Sequence, residues 1–335
     1  MEEQSEIRLT AAEMSVLWTQ YINDTSAICV NSHFLEKATD PEVCSIIKFT
    51  LSVAKSNIEF LQDFFKNEKF PVPYGFSDKD VLPEAPKLFS DTFVLMYLRQ
   101  MSILAMAASS AALGLATRED VVAFHKKVLE AAVKLQDLTR RIMLKQGTYV
   151  RPPFLSTPDR ATFVHKQQFL NGILGKKRTL TSIEITHLFM NVQTNAIGKA
   201  LITGFAQIAK DEEVKEFLKK GKQMAQKHIT IFSDFLIKED LPAPMSWDSA
   251  VMDTTSSIFS DKLMMFLTSA MIAAGIGNYG MSMAASPRKD LGFRYASLIP
   301  EIALYAEDGA NIMIKNGWLE EPPQADNKEQ LIDGK

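Results

Sequence analysis

The residues best suited to chemistry in this chain are few and scattered. Glu184-Ile185-Thr186-His187 sets a carboxylate and an imidazole three positions apart, the spacing with which helical bundles hold a di-metal centre. Such a centre needs that pair twice, plus a glutamate from each of two further helices. The pair occurs once, and Glu184 stands three residues after Thr181, where a capping box would use it. Cys29 and His33 lie four apart on one helix face, but zinc wants four ligands and two more are not evident. Cys44 is not level enough with Cys29 to bridge to it, so both cysteines read as small hydrophobes. The run from Gly275 to Gly280 imitates a dinucleotide-binding glycine motif by letter only, since no strand precedes it. Asp78, Asp80 and Asp91, and likewise Asp248, Asp253 and Asp261, fall in loops or at helix starts, where caps and solvent account for them. One feature has less structural excuse. Pro300 interrupts a helical stretch that also carries Tyr295, Glu301 and Tyr305, and with Tyr279 on the preceding helix these form a candidate ligand pocket. Surface charge on a helix is the plainer account of Glu301, Glu307 and Asp308. No catalytic residue, metal ligand set or cofactor motif emerges.

The elements that position these residues come from a chain of 335 residues, 46% hydrophobic and 23% charged, with formal net charge −3. That mix is ordinary for a globular protein and excludes collagen-like, fibrous and wholly disordered chains. No basic surplus points to nucleic acid. Two cysteines suit a reducing compartment, and the acidic start, Met1 to Glu6, lacks the apolar region of a secretory signal.

The chain is written twice. Leu9-Thr10 with Glu13 matches Leu180-Thr181 with Glu184, and Pro71-Val72-Pro73 matches Pro242-Ala243-Pro244. After a one-residue deletion, Phe89-Ser90-Asp91 matches Phe259-Ser260-Asp261, and Lys145-Gln146-Gly147 matches Lys315-Asn316-Gly317. Over the two aligned stretches 29 of 131 positions are identical, against roughly one in fifteen for unrelated chains of average composition. Each copy reads as four helices of roughly 27 residues, about 40 Å long. In copy one they start at the Thr10/Glu13 box, at Asp40-Pro41, at Ser90-Asp91 and at a Thr117/Asp120 box. In copy two they start at Thr181/Glu184, Asp211, Ser260-Asp261 and Ser286-Pro287. Short links join helices one to two and three to four, while a proline-rich crossover joins two to three. The expected fold is all-α, a tandem repeat of two ferritin-like four-helix bundles, each with one long crossover between its second and third helices. The bundles span 8–147 and 179–317. An ordered linker, 148–178, ends on the basic run Lys176-Lys177-Arg178, and a polar tail, 318–335, is expected to be disordered beyond Pro323.

The third helix of each copy carries no charge from Gln100 to Thr117 or from Leu263 to Pro287. Length would permit a membrane span. The repeat context instead predicts a helix buried on most of its circumference, without a span. Ala107, Ser110 and Gly114, and Gly277, Gly280 and Ala284, share one face at helical spacing. Either the two bundles bury these faces against each other, or they form a self-association face.

Lys145 to Pro153, Ser260 to Met264 and Gly317 to Pro323 resemble the signature of an uncharacterised family from spore-forming bacteria. Its members look like tandem ferritin-like bundles, and some carry the label "putative spore coat protein". The resemblance runs from Ile7 to Pro323. It implies no catalytic residues and no cofactor. It implies a non-catalytic structural or interaction protein, made in the cytoplasm and deposited on the spore, whose partners are proteins or further copies meeting through apolar helix faces. Two alternatives stay open: a bundle that binds a small apolar ligand, and a metal-dependent redox protein of ferritin-like ancestry.

Overall fold

The computed structural model describes residues 7–172, 177–325, 327, 328 and 332. Eight long helices form among them: α1 (Ala11–Lys37), α2 (Pro41–Asn67), α3 (Asp91–Leu115), α4 (Glu119–Lys145), α5 (Ser182–Ile208), α6 (Glu212–Ile237), α7 (Asp261–Ala285) and α8 (Lys289–Lys315). The acidic start, Lys176 and most of the tail after Pro323 lie outside the described residues.

Capping chemistry sets the helix starts. Thr10 Oγ1 accepts from the Glu13 amide while the Glu13 carboxylate accepts from the Thr10 amide, and Thr181 and Glu184 repeat the exchange. Asp40 and Asp211 each accept from two first-turn amides, and Ser90 and Ser260 from one. The expected Thr117/Asp120 box does not form. Glu13 reaches across from α1, and its Oε1 accepts from the Thr117 amide, the Thr117 hydroxyl and the Arg118 amide at 2.8, 3.1 and 2.9 Å. α4 therefore starts on Arg118, whose guanidinium takes the Asp120 carboxylate. α8 likewise starts on Arg288, beyond the expected Ser286-Pro287, because Glu184 accepts from the Arg288 amide at 3.0 Å. Gly147 and Gly317, with φ of +68° and +66°, end α4 and α8 in the left-handed conformation that glycine takes without steric cost.

Within each copy the first helix packs beside the second and third, and the fourth beside the third and second. Each copy is thus a closed four-helix ring with its one long link between the second and third helices. Leu17, Leu61, Phe65 and Val121 pack the far end of the first bundle, and Leu188, Phe232, Leu236 and Tyr295 that of the second. The largest core cluster belongs to both copies, joining Val30, Phe34, Phe89 and Phe93 to Leu201, Phe205, Phe259 and Leu263.

The bundles meet with two-fold pseudosymmetry. Val81 pairs in an antiparallel bridge with Phe259, and Phe89 pairs with Val251. Val251 is the counterpart of Val81, and Phe259 that of Phe89, so each bridge is the other with the copies exchanged. The Leu82 amide donates to the Ile258 carbonyl at 2.7 Å, and its counterpart Met252 donates to Leu88 at 2.8 Å. Ser260 donates to the Asp80 carbonyl, and Ser90 to that of Ala250, both at 2.9 Å. This is the self-complementary geometry of a symmetric dimer, held within one chain.

Burial of α3 and α7 differs from the expectation. Phe93 to Leu98 and Leu263 to Met265 are buried at the junction of the bundles, but Ala107, Ser110, Gly114, Gly277 and Ala284 are exposed. A methyl added at Gly114, Gly277 or Gly280 would touch nothing. The bundles join through their crossovers and the first halves of these helices; in the second halves Ser109, Ala112, Tyr279 and Ser282 are buried within their own bundle, and the opposite faces are left exposed. Both helices are long and apolar enough to cross a membrane, and 50% of the most apolar stretch of α3 and 39% of that of α7 is buried in the protein.

Candidate functional site

Most residues singled out for chemistry are tied into structure. Glu184 is fully buried and holds Arg178 through both carboxylate oxygens, at 2.7 and 2.8 Å, as well as capping α5. His187, one turn on, lies 3.2 Å from the Ser282 hydroxyl. The Cys29 thiol donates to the Ser77 carbonyl at 3.1 Å, and burial pushes its pKa up to about 12. His33 binds the Pro83 carbonyl at 3.2 Å, and Cys44 the Ala38 carbonyl at 3.5 Å. Asp91 and Asp261 cross to the amides of Asp40 and Asp211, and Asp248 pairs with Lys199. Among the described residues no three His, Cys, Asp or Glu side chains gather in a way that could hold a metal ion.

A cavity of about 110 Å³, partly open to solvent, lies between α5, α6, α7 and α8 of the second bundle and Tyr97, Gln100, Met101 and Leu104 of α3. Two of the five candidate pocket residues, Tyr279 and Tyr305, line it. The Tyr279 hydroxyl lies 2.9 Å from His228 Nδ1 and accepts from Asn195 Nδ2 at 2.9 Å. The Tyr305 hydroxyl donates to the Phe217 carbonyl at 2.9 Å. Glu301 sits outside, holding Lys227 at 2.8 Å, with His228 Nε2 3.5 Å from its carboxylate. Tyr295 is buried behind, against Phe232 and Tyr279, and its hydroxyl makes no hydrogen bond. Pro300 is exposed on the solvent side of α8 and lines neither the cavity nor the cleft beside Glu301.

His228, which the sequence offers as a satisfied core or surface histidine in place of Asn57, and Asn195, which it does not single out, complete this polar centre. Their signal lay in the repeat, where Asn195 stands opposite Asp24 and His228 opposite Asn57. In the first bundle Asp24 accepts from Asn57 Nδ2 at 3.0 Å and from Gln20 Nε2 at 2.8 Å. At the same level the first bundle joins its first two helices directly, and the second joins them through the Tyr279 hydroxyl of α7. Burial raises the Asp24 pKa to about 7, although both hydrogen bonds oppose the rise. Burial holds His228 below the usual imidazole value, with Glu301 pulling the other way. The centre of the second bundle is thus uncharged at neutral pH.

The second feature is external. The later halves of α3 and α7 present Ala107, Ala111 and Gly114, and Gly277, Met281 and Ala284, with no charged side chain on either stretch. Met281 is 59% and Leu115 60% exposed. Ala111 and Met281 hold the same place in the repeat, so one face recurs on each copy.

The crystal structure of a "putative spore coat protein" from Bacillus halodurans C-125 aligns with 46% of this chain and 100% of its own length, at 16% identity and a TM-score of 0.43. Among curated proteins none matches the chain. A family model described as "protein of unknown function (DUF3231)" matches residues 2–160 and again 168–331, once over each copy, and the chain belongs to that family.

Proposed function

We propose that this protein is a structural subunit that assembles with further copies of itself through the exposed faces of α3 and α7. The observation that carries this reading is that the same uncharged, solvent-facing stretch occurs once on each copy of a pseudosymmetric chain. Contiguous exposed apolar surface of this kind marks an association site. Small residues there let a neighbouring helix come close. Two equivalent faces make the chain bivalent, and a bivalent unit extends into a chain or sheet where a single face would stop at a dimer. A second copy fits these faces better than lipid does. The first half of each helix is packed in protein, and the neighbouring α4 and α8 carry charged side chains along their length. Deposition on the spore is the localisation this reading supports, as the label on some family members suggests.

Sedimentation velocity of the full chain over a hundredfold concentration range tests the reading, with and without neutral lipid vesicles. Mass growing with concentration without lipid supports it. A monomer at every concentration overturns it, as does partition into vesicles in place of self-association. A fluorescent fusion followed through sporulation tests the localisation.

A further inference from the structure

We propose that the cavity of the second bundle is a binding site for a small, neutral, apolar molecule, of the size of one aromatic ring or a short alkyl chain. Its walls contain no Asp, Glu, Lys or Arg. The tyrosine hydroxyls at its inner end are engaged by His228, Asn195 and the Phe217 carbonyl, and the Thr268 hydroxyl by the Met264 carbonyl. Apart from the amides of Gln100 and Asn278, an entering molecule meets mainly hydrocarbon and the thioethers of Met101, Met224 and Met271, side chains that adapt to irregular shapes. The volume, about 110 Å³, is of the order of apolar protein cavities, roughly 150 Å³, that stay dry and take up benzene or xenon.

The glycines supply an independent argument. Glycine weakens a helix interior and persists there for a packing or functional reason. Gly204, Gly221 and Gly309 have the packing reason: an added methyl would come within 2.6 Å of Phe89, 2.1 Å of Tyr305 and 2.7 Å of Phe217. Gly198 and Gly275 do not. A methyl at Gly198 would meet only the Met271 sulfur at 3.8 Å, and one at Gly275 would meet nothing. Both line the cavity, and the first bundle carries Ala27 and Ala105 in their places. Three other wall positions are more apolar than their counterparts, while Thr268 and Asn278, opposite Leu98 and Ala108, are more polar. Ile197, Ile202 and Ile272 stand where the first bundle has Ser26, Asn31 and Ser102. Gly198 and Gly275 thus open the space in this copy, and the three isoleucines line it with hydrocarbon where the first bundle has polar side chains.

The test is thermal unfolding of the full chain with saturating benzene, with benzoate as the anionic control. Benzene raises the midpoint of the wild-type protein by about 3 °C, and benzoate leaves it unchanged. Gly275→Leu fills the cavity, so it unfolds at a higher temperature without ligand and no longer responds to benzene. Gly275→Ala, the residue of the sister copy, folds as wild type and has a reduced response. The proposal is overturned if benzene leaves the wild-type midpoint unmoved, if benzoate shifts it equally, or if a folded Gly275→Leu protein responds as wild type does. All midpoints are compared at one protein concentration, so self-association is common to both arms of each comparison and the two proposals stand or fall separately.

Discussion

Glu13 and Asp24, about three turns apart on α1, show how one helix holds carboxylates in opposite states. Burial works against ionising Glu13, but donors from Thr10, Arg118 and Thr117 outweigh it and bring the pKa to about 2. A carboxyl with a depressed folded pKa contributes stability that is present above the unfolded value of 4.5 and lost as pH falls towards 2. Glu13→Gln should cost about 3 kcal/mol at pH 7, and urea melts of the variant should lose stability less steeply between pH 4.5 and 2 than wild type does. Asp24 behaves in the reverse way. Its raised pKa means that the folded state binds the proton more tightly, so stability falls as pH climbs from 3.8 towards 7. Asp24→Asn places the second copy's own residue there. It should stabilise the protein by about 2–4 kcal/mol at pH 8 and change little at pH 3.5, as melts at the two pH values would report. An equal effect at both would contradict the assignment of a buried, proton-holding carboxyl.

At the scale of the helix, propensity and packing separate at one place. Pro300 withholds an amide from α8 where the sister helix has Glu130, yet the helix runs unbroken from Lys289 to Lys315. Because Pro300 faces solvent, water can satisfy the carbonyl that loses its partner. Pro300→Glu should therefore raise stability by about 1–3 kcal/mol, read from the thermal midpoint, without altering benzene binding. The helices were legible in the sequence because Thr10, Asp40, Thr181 and Asp211 announce their starts chemically. The start of α4 was not, since Glu13 comes to Thr117 from more than a hundred residues away. Nor was the cavity, which is a shortfall of volume among side chains from five helices, and periodicity carries no information about volume. Tyr279 and Tyr305 could be named because polar residues stand out in an apolar helix. His228 stood out against Asn57 of the sister copy, and Asn195 would have stood out against Asp24 in the same way.

At the scale of the molecule, the exchanged bridges of Val81 with Phe259 and Phe89 with Val251 make the tandem a symmetric dimer in one chain. The crossovers, loops by composition, are the interface. Gly204 of α5 lies so close to Phe89 that a methyl there would come 2.6 Å from the ring. Gly204→Val should loosen the bundles from each other at a cost of about 1–3 kcal/mol and split thermal unfolding into two steps. With their crossovers engaged inside the chain, the bundles leave the uncharged faces of α3 and α7 uncovered. The most direct test of assembly through these surfaces is native mass spectrometry of wild type, Ala111→Glu, Met281→Glu and the double variant. Both positions are exposed, so the charges leave the fold intact. The account predicts multimers for wild type, nothing larger than a dimer for either single variant, and a monomer for the double variant. A wild-type monomer, or a double variant that assembles as wild type does, would contradict it.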